Sequence, residues 1–192
     1  MSLAPWRSSL ARALHRNRSL PYARYVQLAT VQATGRPANR TVVFRGTLAD
    51  ANQLKFITDI RSQKADEIER SPWGEVCWYF PNTREQFRFA GRLTLVGEMH
   101  ADSALQAARA STWQELSDAA RSQFTWADPG QPRVSDDGFN APLPDAIAPL
   151  PNFCLLLLDP DRVDHLELRG NPQNRRIYEH KNGDWSSQEV NP

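Results

Sequence analysis

The sequence predicts a mainly β fold with flanking helices, a six- to eight-stranded antiparallel barrel built as one domain over residues 1–192. Three observations carry this expectation. Eight β-rich segments follow one another with turn residues between them, whereas a parallel sheet would need a helix after each strand. Helical spacing is confined to the start of the chain, a short piece near residue 62 and a stretch over residues 101–122. A chain of 192 residues is also long enough for one core and short for two.

Residues 4–15 place Trp6, Leu10 and Leu14 on one helical face, within an N-terminal helical segment over residues 1–20. Residues 25–31 (YVQLATV) read as a strand and RPAN, residues 36–39, as a turn. Residues 40–46 (RTVVFRG) are rich in β-branched side chains and form the next strand. Asp50, Ala51 and Asn52 turn the chain into a strand over 54–58. A helix from about residue 62 to 69 turns Ala65 and Ile68 inward, and Pro72 and Gly74 end it. Residues 75–80 are a strand, Pro81-Asn82-Thr83 a turn, and residues 85–96 a long strand in which Gly91 marks a bend or bulge. Residues 101–122, rich in Ala, Gln, Leu and Glu, supply one or two helices. Residues 127–151 hold many of the 14 prolines and read as a long irregular loop, a kind of segment that is usually functional or disordered; with Trp113, Leu116, Phe124 and Trp126 it either shapes the second wall of a binding site or is core packing plus a surface loop. Strands over 153–158, 163–168 and 175–178 complete the chain.

With 23 basic and 22 acidic side chains, net charge gives no reason to expect a nucleic-acid partner. Cys77 and Cys154 each lie in an apolar run, which points to buried free thiols rather than a disulfide. No Cys/His spacing suggests a metal site. The longest apolar run, residues 153–158, is too short for a bilayer, and the charged N-terminus is unlike a signal peptide. A cytoplasmic location with no membrane partner is therefore expected. The four histidines lack orienting partners in the sequence and read as surface or satisfied residues; neither a Walker loop nor G-x-G-x-x-G is present.

The most informative segment is FITDIRSQK, residues 56–64: a strand, a polar turn and the start of a helix. Arg61 and Lys64 flank that start, where the helix dipole disfavours cations. Free backbone N–H groups, a Ser hydroxyl and a Lys at one helix start together suit a phosphate. The same cations can also be solvated surface residues, offset by Asp66 and Glu67.

Taken in order, RTVVFR, FITDIRSQKA, REQFRFAGRLTLV and the C-terminal RRIYEHKNGDW…NP resemble the pyridoxamine 5′-phosphate oxidase-like family of FMN-binding split barrels, and within it a branch of FMN-binding oxidase-related proteins. The resemblance spans nearly the whole chain. It implies FMN as cofactor, in a groove between the subunits of a homodimer. Arg40 stands where the family's leading Arg binds the flavin phosphate, and Thr41, Val42, Val43 and Arg45 follow it along the flavin. Arg45 replaces the family's usual Lys, keeping charge but not shape. Arg40 and Arg45 project to opposite sides of a strand, so one of them has to reach round its end. Thr58, Ser62 and Lys64 match the second motif, with Lys64 on phosphate; Ile57 and Gln63 replace a Tyr and an Arg. Gln86 corresponds to a Gln at the isoalloxazine or ribityl region. Arg175, with Arg176 as a near alternative, corresponds to an Arg beside the flavin ring. The family's substrate-phosphate pattern is not matched: Arg121 is the best basic candidate in the helical region, and RGNPQNRR lacks the R-x-H pair. The resemblance thus implies an FMN flavoprotein and oxidoreductase that transfers hydride to or from flavin N5, with substrate and catalytic residues unassigned. The alternative is a non-catalytic split barrel that binds, stores or senses flavin.

Overall fold

Along residues 25–31, Val26, Leu28 and Thr30 are buried while their neighbours are exposed or half-buried, so the first strand, β1 (Tyr25–Val31), has one core face. The same period organises β2 (Pro37–Val43), β3 (Leu54–Asp59), β4 (Trp73–Phe80) and β5 (Glu85–Val96). The computed structural model describes residues 3–192; there β6 (Phe153–Glu167), β7 (Asn174–Lys181) and β8 (Asp184–Val190) complete one antiparallel sheet. Its hydrogen-bonded order is β2-β1-β4-β5-β6-β7-β8, and β3 pairs with β6 off that path.

That off-path strand makes the barrel. The first half of β6 pairs with β3, and its second half pairs with β7, so the sheet forks near Pro160. Past the end of β2, the Arg45 N–H donates to the Lys55 carbonyl at 2.9 Å and the Lys55 N–H donates to Gly46 at 2.8 Å. These two bonds join β2 to β3 and close β1 to β6 into a ring. An aromatic core fills it: Trp6 from helix α1 (Arg7–Asn17 and its preceding turn), Phe44, Trp78, Phe80, Phe87 and Phe89. Helices α3 (Ser103–Gln114) and α4 (Asp118–Ser122) flank the barrel. Trp113 of α3, Leu116 between the helices and Phe124 just after α4 pack on Phe153, while Val96, Leu155 and Leu157 meet Leu105 and Ala108. The first half of β6 is therefore covered on both faces, which is why FCLLLL is apolar at every position. No helix of the described residues is long and apolar enough to cross a membrane. Cys154 is buried and Cys77 half-buried, both as free thiols.

Four expectations need correction. RPAN is not the turn: Pro37 opens β2, and the chain reverses earlier, over Ala33 to Gly35, where Gly35 takes φ +78°. The strand expected over 40–46 accordingly runs earlier, over Pro37–Val43. The two strands expected over 153–158 and 163–168 are one 15-residue strand. Pro160 is tolerated inside it because the register shifts at Ala90/Gly91, and Pro160 lies opposite Gly91. A Cβ on Gly91 would sit 2.1 Å from the Asp159 carbonyl oxygen. Finally, β8 has a largely exposed, polar sequence with no alternation to reveal it. Its signal was the Asn182-Gly183 turn, where both residues have positive φ.

Candidate functional site

Strand β3 delivers Ile57, Thr58 and Asp59 to one rim of the barrel, and the chain then turns into helix α2 (Gln63–Arg70). Ser62 precedes that helix with extended backbone, yet its hydroxyl does not cap it. The hydroxyl donates instead to the Asp59 carbonyl at 2.7 Å, which leaves the first turn of α2 without a side-chain cap. Lys64 folds back over this turn. Its Nζ donates to Thr58 Oγ1 at 2.5 Å and to Ser62 Oγ at 3.2 Å. Among the described residues it has no ion-pair partner.

These groups floor a cleft of about 590 Å³. Val43, Arg45, Ile57, Thr58, Ser62 and Lys64 line one side of it. Phe124, Trp126 and residues 127–134 form the opposite wall, with Phe139. Asp59 lines the same side, but its carboxylate is held by Arg61 and Asn152. Burial, reinforced by the neighbouring Arg40 charge, lowers the Lys64 pKa against smaller opposing contributions from Asp59 and Glu67. Burial, reinforced by Arg24, also lowers that of Arg45, against a smaller opposing contribution from Tyr25. The Nε of Arg45 is buried with no hydrogen-bond partner. Two cations that are both desolvated and unpaired by carboxylates face one cavity. A phosphate dianion supplies what each lacks, so the residues present fit the phosphate end of FMN.

The remaining expected site residues lie elsewhere in the chain. Arg40 does not line the cleft. Its guanidinium is held by Glu67 of α2 at 2.8 Å, by the Thr30 hydroxyl and by the Leu28 carbonyl. Thr41 is exposed, Val42 is in the core, and Gln63 is exposed at the start of α2. Gln86 sits half-buried on β5, opposite Tyr79 and Leu166. Arg175 lies beyond the fork, on β7, where its guanidinium makes a two-bond pair with Asp164 at 2.8 and 3.1 Å. Arg176 pairs with Glu189. Arg121 is buried and donates to the Leu116 carbonyl at 2.6 Å, so it serves the C-terminal end of α3.

Trp126 and the start of the Pro-rich loop, weighed from the sequence as the other wall of the site, do line the cleft, although no motif marks them. Sequence reasoning did not foresee one other feature. His165 does have an orienting partner: it is buried, stacked on Phe87 at 4.0 Å, and its Nε2 meets Glu85 Oε2 at 2.9 Å. Glu167 joins them, with ligand atoms of all three within 4.8 Å. That cluster opens on a smaller cleft of about 270 Å³, lined also by Arg12, Arg175 and Arg176.

Comparison with known proteins accords with this geometry. The sequence model of the pyridoxamine 5′-phosphate oxidase FMN-binding domain matches residues 3–97, which include the cleft floor and exclude the wall. The chain is 37% identical over 197 residues to pyridoxine/pyridoxamine 5′-phosphate oxidase 2 of Arabidopsis thaliana, covering 99% of this chain and 98% of that protein. Among solved structures, it is similar to a pyridoxamine 5′-phosphate oxidase-related, FMN-binding protein of Nostoc punctiforme, with 64% identity, TM-score 0.97 and full coverage of both chains. PhzG of Burkholderia lata, solved with tetrahydrophenazine-1-carboxylic acid, shares the fold at TM-score 0.81 and 18% identity, over 100% of this chain and 94% of that one.

Proposed function

The chain belongs to the pyridoxamine 5′-phosphate oxidase family of FMN-binding proteins, and from that premise we propose that it is an FMN-dependent oxidoreductase whose cleft holds the flavin phosphate on Lys64. The observation that carries the reading is the pair of desolvated cations without carboxylate partners, Lys64 and Arg45, on the floor of one cavity.

Bound FMN would supply hydride exchange at N5. The protein's part is to bind and orient. Lys64 donates to the phosphate, with the Ser62 and Thr58 hydroxyls beside it and the uncapped first turn of α2 adding its dipole. Arg40 acts from behind this turn. Its pair with Glu67 holds α2 against β1 and β2, and its charge raises the local potential. Val43 and Ile57 offer apolar surface along the floor, and the wall opposite limits water. Gln86 and Arg175 lie outside this cleft in a single chain, so their expected roles at the flavin ring require a second copy. A homodimer with FMN between subunits meets that requirement, and Tyr25 and Tyr79, half-exposed on neighbouring strands β1 and β4, give it apolar contact surface. The organic substrate is unassigned, because Arg121, the best basic candidate of the helical region, is engaged by the Leu116 carbonyl and by Asp118.

The test is a visible spectrum, an FMN titration and stopped-flow reduction with amines, pyridoxal compounds and nicotinamides. A yellow protein that turns over with one donor is expected. A protein that stays colourless when FMN is added would contradict the reading. Binding without reduction by any donor would reassign the chain to flavin storage or sensing.

A further inference from the structure

The wall of the cleft is held unevenly. Its later part is tied to α3 and β3: Trp113 Nε1 donates to the Asp145 carbonyl at 2.9 Å, Arg109 donates to Leu150 at 2.7 Å, and Asn152 Nδ2 bridges Asp59 and Phe124 at 2.8 Å each. Residues 126–134, the part facing Lys64 and Arg45, have no such ties to α3 or β6. Among the described residues, a single side chain outside the loop hydrogen-bonds to them, and it is Arg61. Its Nη1 meets Asp128 at 2.6 Å, its Nη2 donates to the Trp126 carbonyl at 3.3 Å, and its other face grips Asp59 at 2.6 to 3.2 Å. Other polar contacts of 126–134 are local, such as Arg133 with Asp136.

We infer that Arg61 is a clip that fastens residues 126–134 to the anion-binding turn, and that it thereby sets how long the cleft retains its ligand. The guanidinium has the planar, multi-donor shape that this requires: one edge for Asp59 on the barrel, the other for Asp128 on the wall. Asp59 is well placed to anchor it. Burial pushes the Asp59 carboxyl up, but the hydrogen bonds from Arg61 and Asn152 outweigh that and hold it below its ordinary value. With both carboxylates on Arg61, its charge is neutralised, so it is a positioning residue rather than a phosphate ligand. This gives a use to Arg61, the cation of FITDIRSQK to which the resemblance assigned no role. The consequence for FMN rests on the function proposed above, whereas the clip itself rests only on the contacts.

Two variants separate a clip from a ligand, because the two roles give Asp128 opposite signs. If Arg61 bound phosphate, removing the nearby Asp128 carboxylate would favour the anion. If Arg61 is a clip, Asp128→Ala should act like Arg61→Ala. Amide hydrogen exchange, read by mass spectrometry on the full chain without FMN, should rise about fivefold in residues 126–134 for either variant, and no further in the double variant, with α2 unchanged. FMN release, followed by flavin fluorescence after dilution, should quicken about as much in both. Unchanged exchange in Asp128→Ala, or slower FMN release from it, would overturn the clip. Because the exchange measurement needs no FMN, it decides the clip even if the wild-type chain binds none.

Discussion

The two ends of the barrel treat their positive charges in opposite ways. Beyond the fork, the two arginines of β7 are matched: Arg175 with Asp164 and Arg176 with Glu189. At the cleft, Lys64 has only two hydroxyls and Arg45 has a buried Nε with no partner. Burial costs a charged group several kcal/mol unless something compensates it. The matched end is complete as a single chain. At the cleft, Lys64 and Arg45 have no ion-pair partner among the described residues, and that deficit is what supports the proposed ligand site. Arg40 and Lys64 make the point at close range. Both were expected on phosphate; Arg40 is paired with Glu67, while Lys64 lines the cleft with no ion-pair partner among the described residues.

The largest effect that could break this contrast is on stability. Arg40→Ala leaves the buried Glu67 carboxylate without its charge partner, and one oxygen of that carboxylate has no partner already. Urea unfolding of the FMN-free protein should show a loss of about 3–5 kcal/mol. Lys64→Ala under the same conditions should cost less than about 0.5 kcal/mol or stabilise slightly, since it removes a desolvated cation rather than half of a pair. A large loss from Lys64→Ala together with a small one from Arg40→Ala would reverse the assignment.

A smaller effect is the pH at which each end titrates. The folded pKa of Lys64 lies below the ordinary 10.5, so between those two values the unfolded chain holds more protons. Stability of the FMN-free protein should therefore rise with pH through that window, and bound phosphate should flatten the rise. At the other end, burial raises the Glu85 carboxyl, but hydrogen bonds from His165 and Thr83 outweigh it and leave its pKa below the ordinary 4.5. Its contribution is complete above 4.5 and should be lost as pH falls through the lowered value. Thermal melts across both ranges, with Lys64→Ala removing only the alkaline slope and Glu85→Gln only the acid one, check the pair of signs.

The smallest effect concerns Arg175. Its guanidinium is partly exposed and Arg88 stays 3.7 Å from the buried Asp164 carboxylate, so Arg175→Ala should lower the melting temperature of the FMN-free protein less than Arg40→Ala does and should show itself mainly in FMN affinity, in a homodimer. Sedimentation of the FMN-free protein checks the dimer independently.

Much of this was legible in the sequence because period and punctuation are local. Gly91 revealed the bulge, and Tyr25–Val31 and Glu85–Val96 were read to the residue. The break expected between residues 158 and 163 is absent because Pro160 is accommodated by a glycine 69 positions earlier in the chain, across the sheet at that bulge. FITDIRSQK suggested an anion and the resemblance put Lys64 on it, but neither revealed what the other cations pair with. The pairing of Arg40 with Glu67, and of Arg61 with Asp128, joins residues 27 and 67 positions apart and follows from closure of the barrel. No local pattern encodes it.

The central claim is that the unpaired cations of the cleft await the flavin phosphate. Calorimetric titration of FMN into FMN-free wild-type protein and Lys64→Met tests it most directly. The wild type should bind, and loss of the charge-assisted contact should weaken binding by about 1.5–3 kcal/mol, roughly 10- to 150-fold, with the fold intact by circular dichroism. Equal affinity of Lys64→Met and wild type for FMN would contradict it.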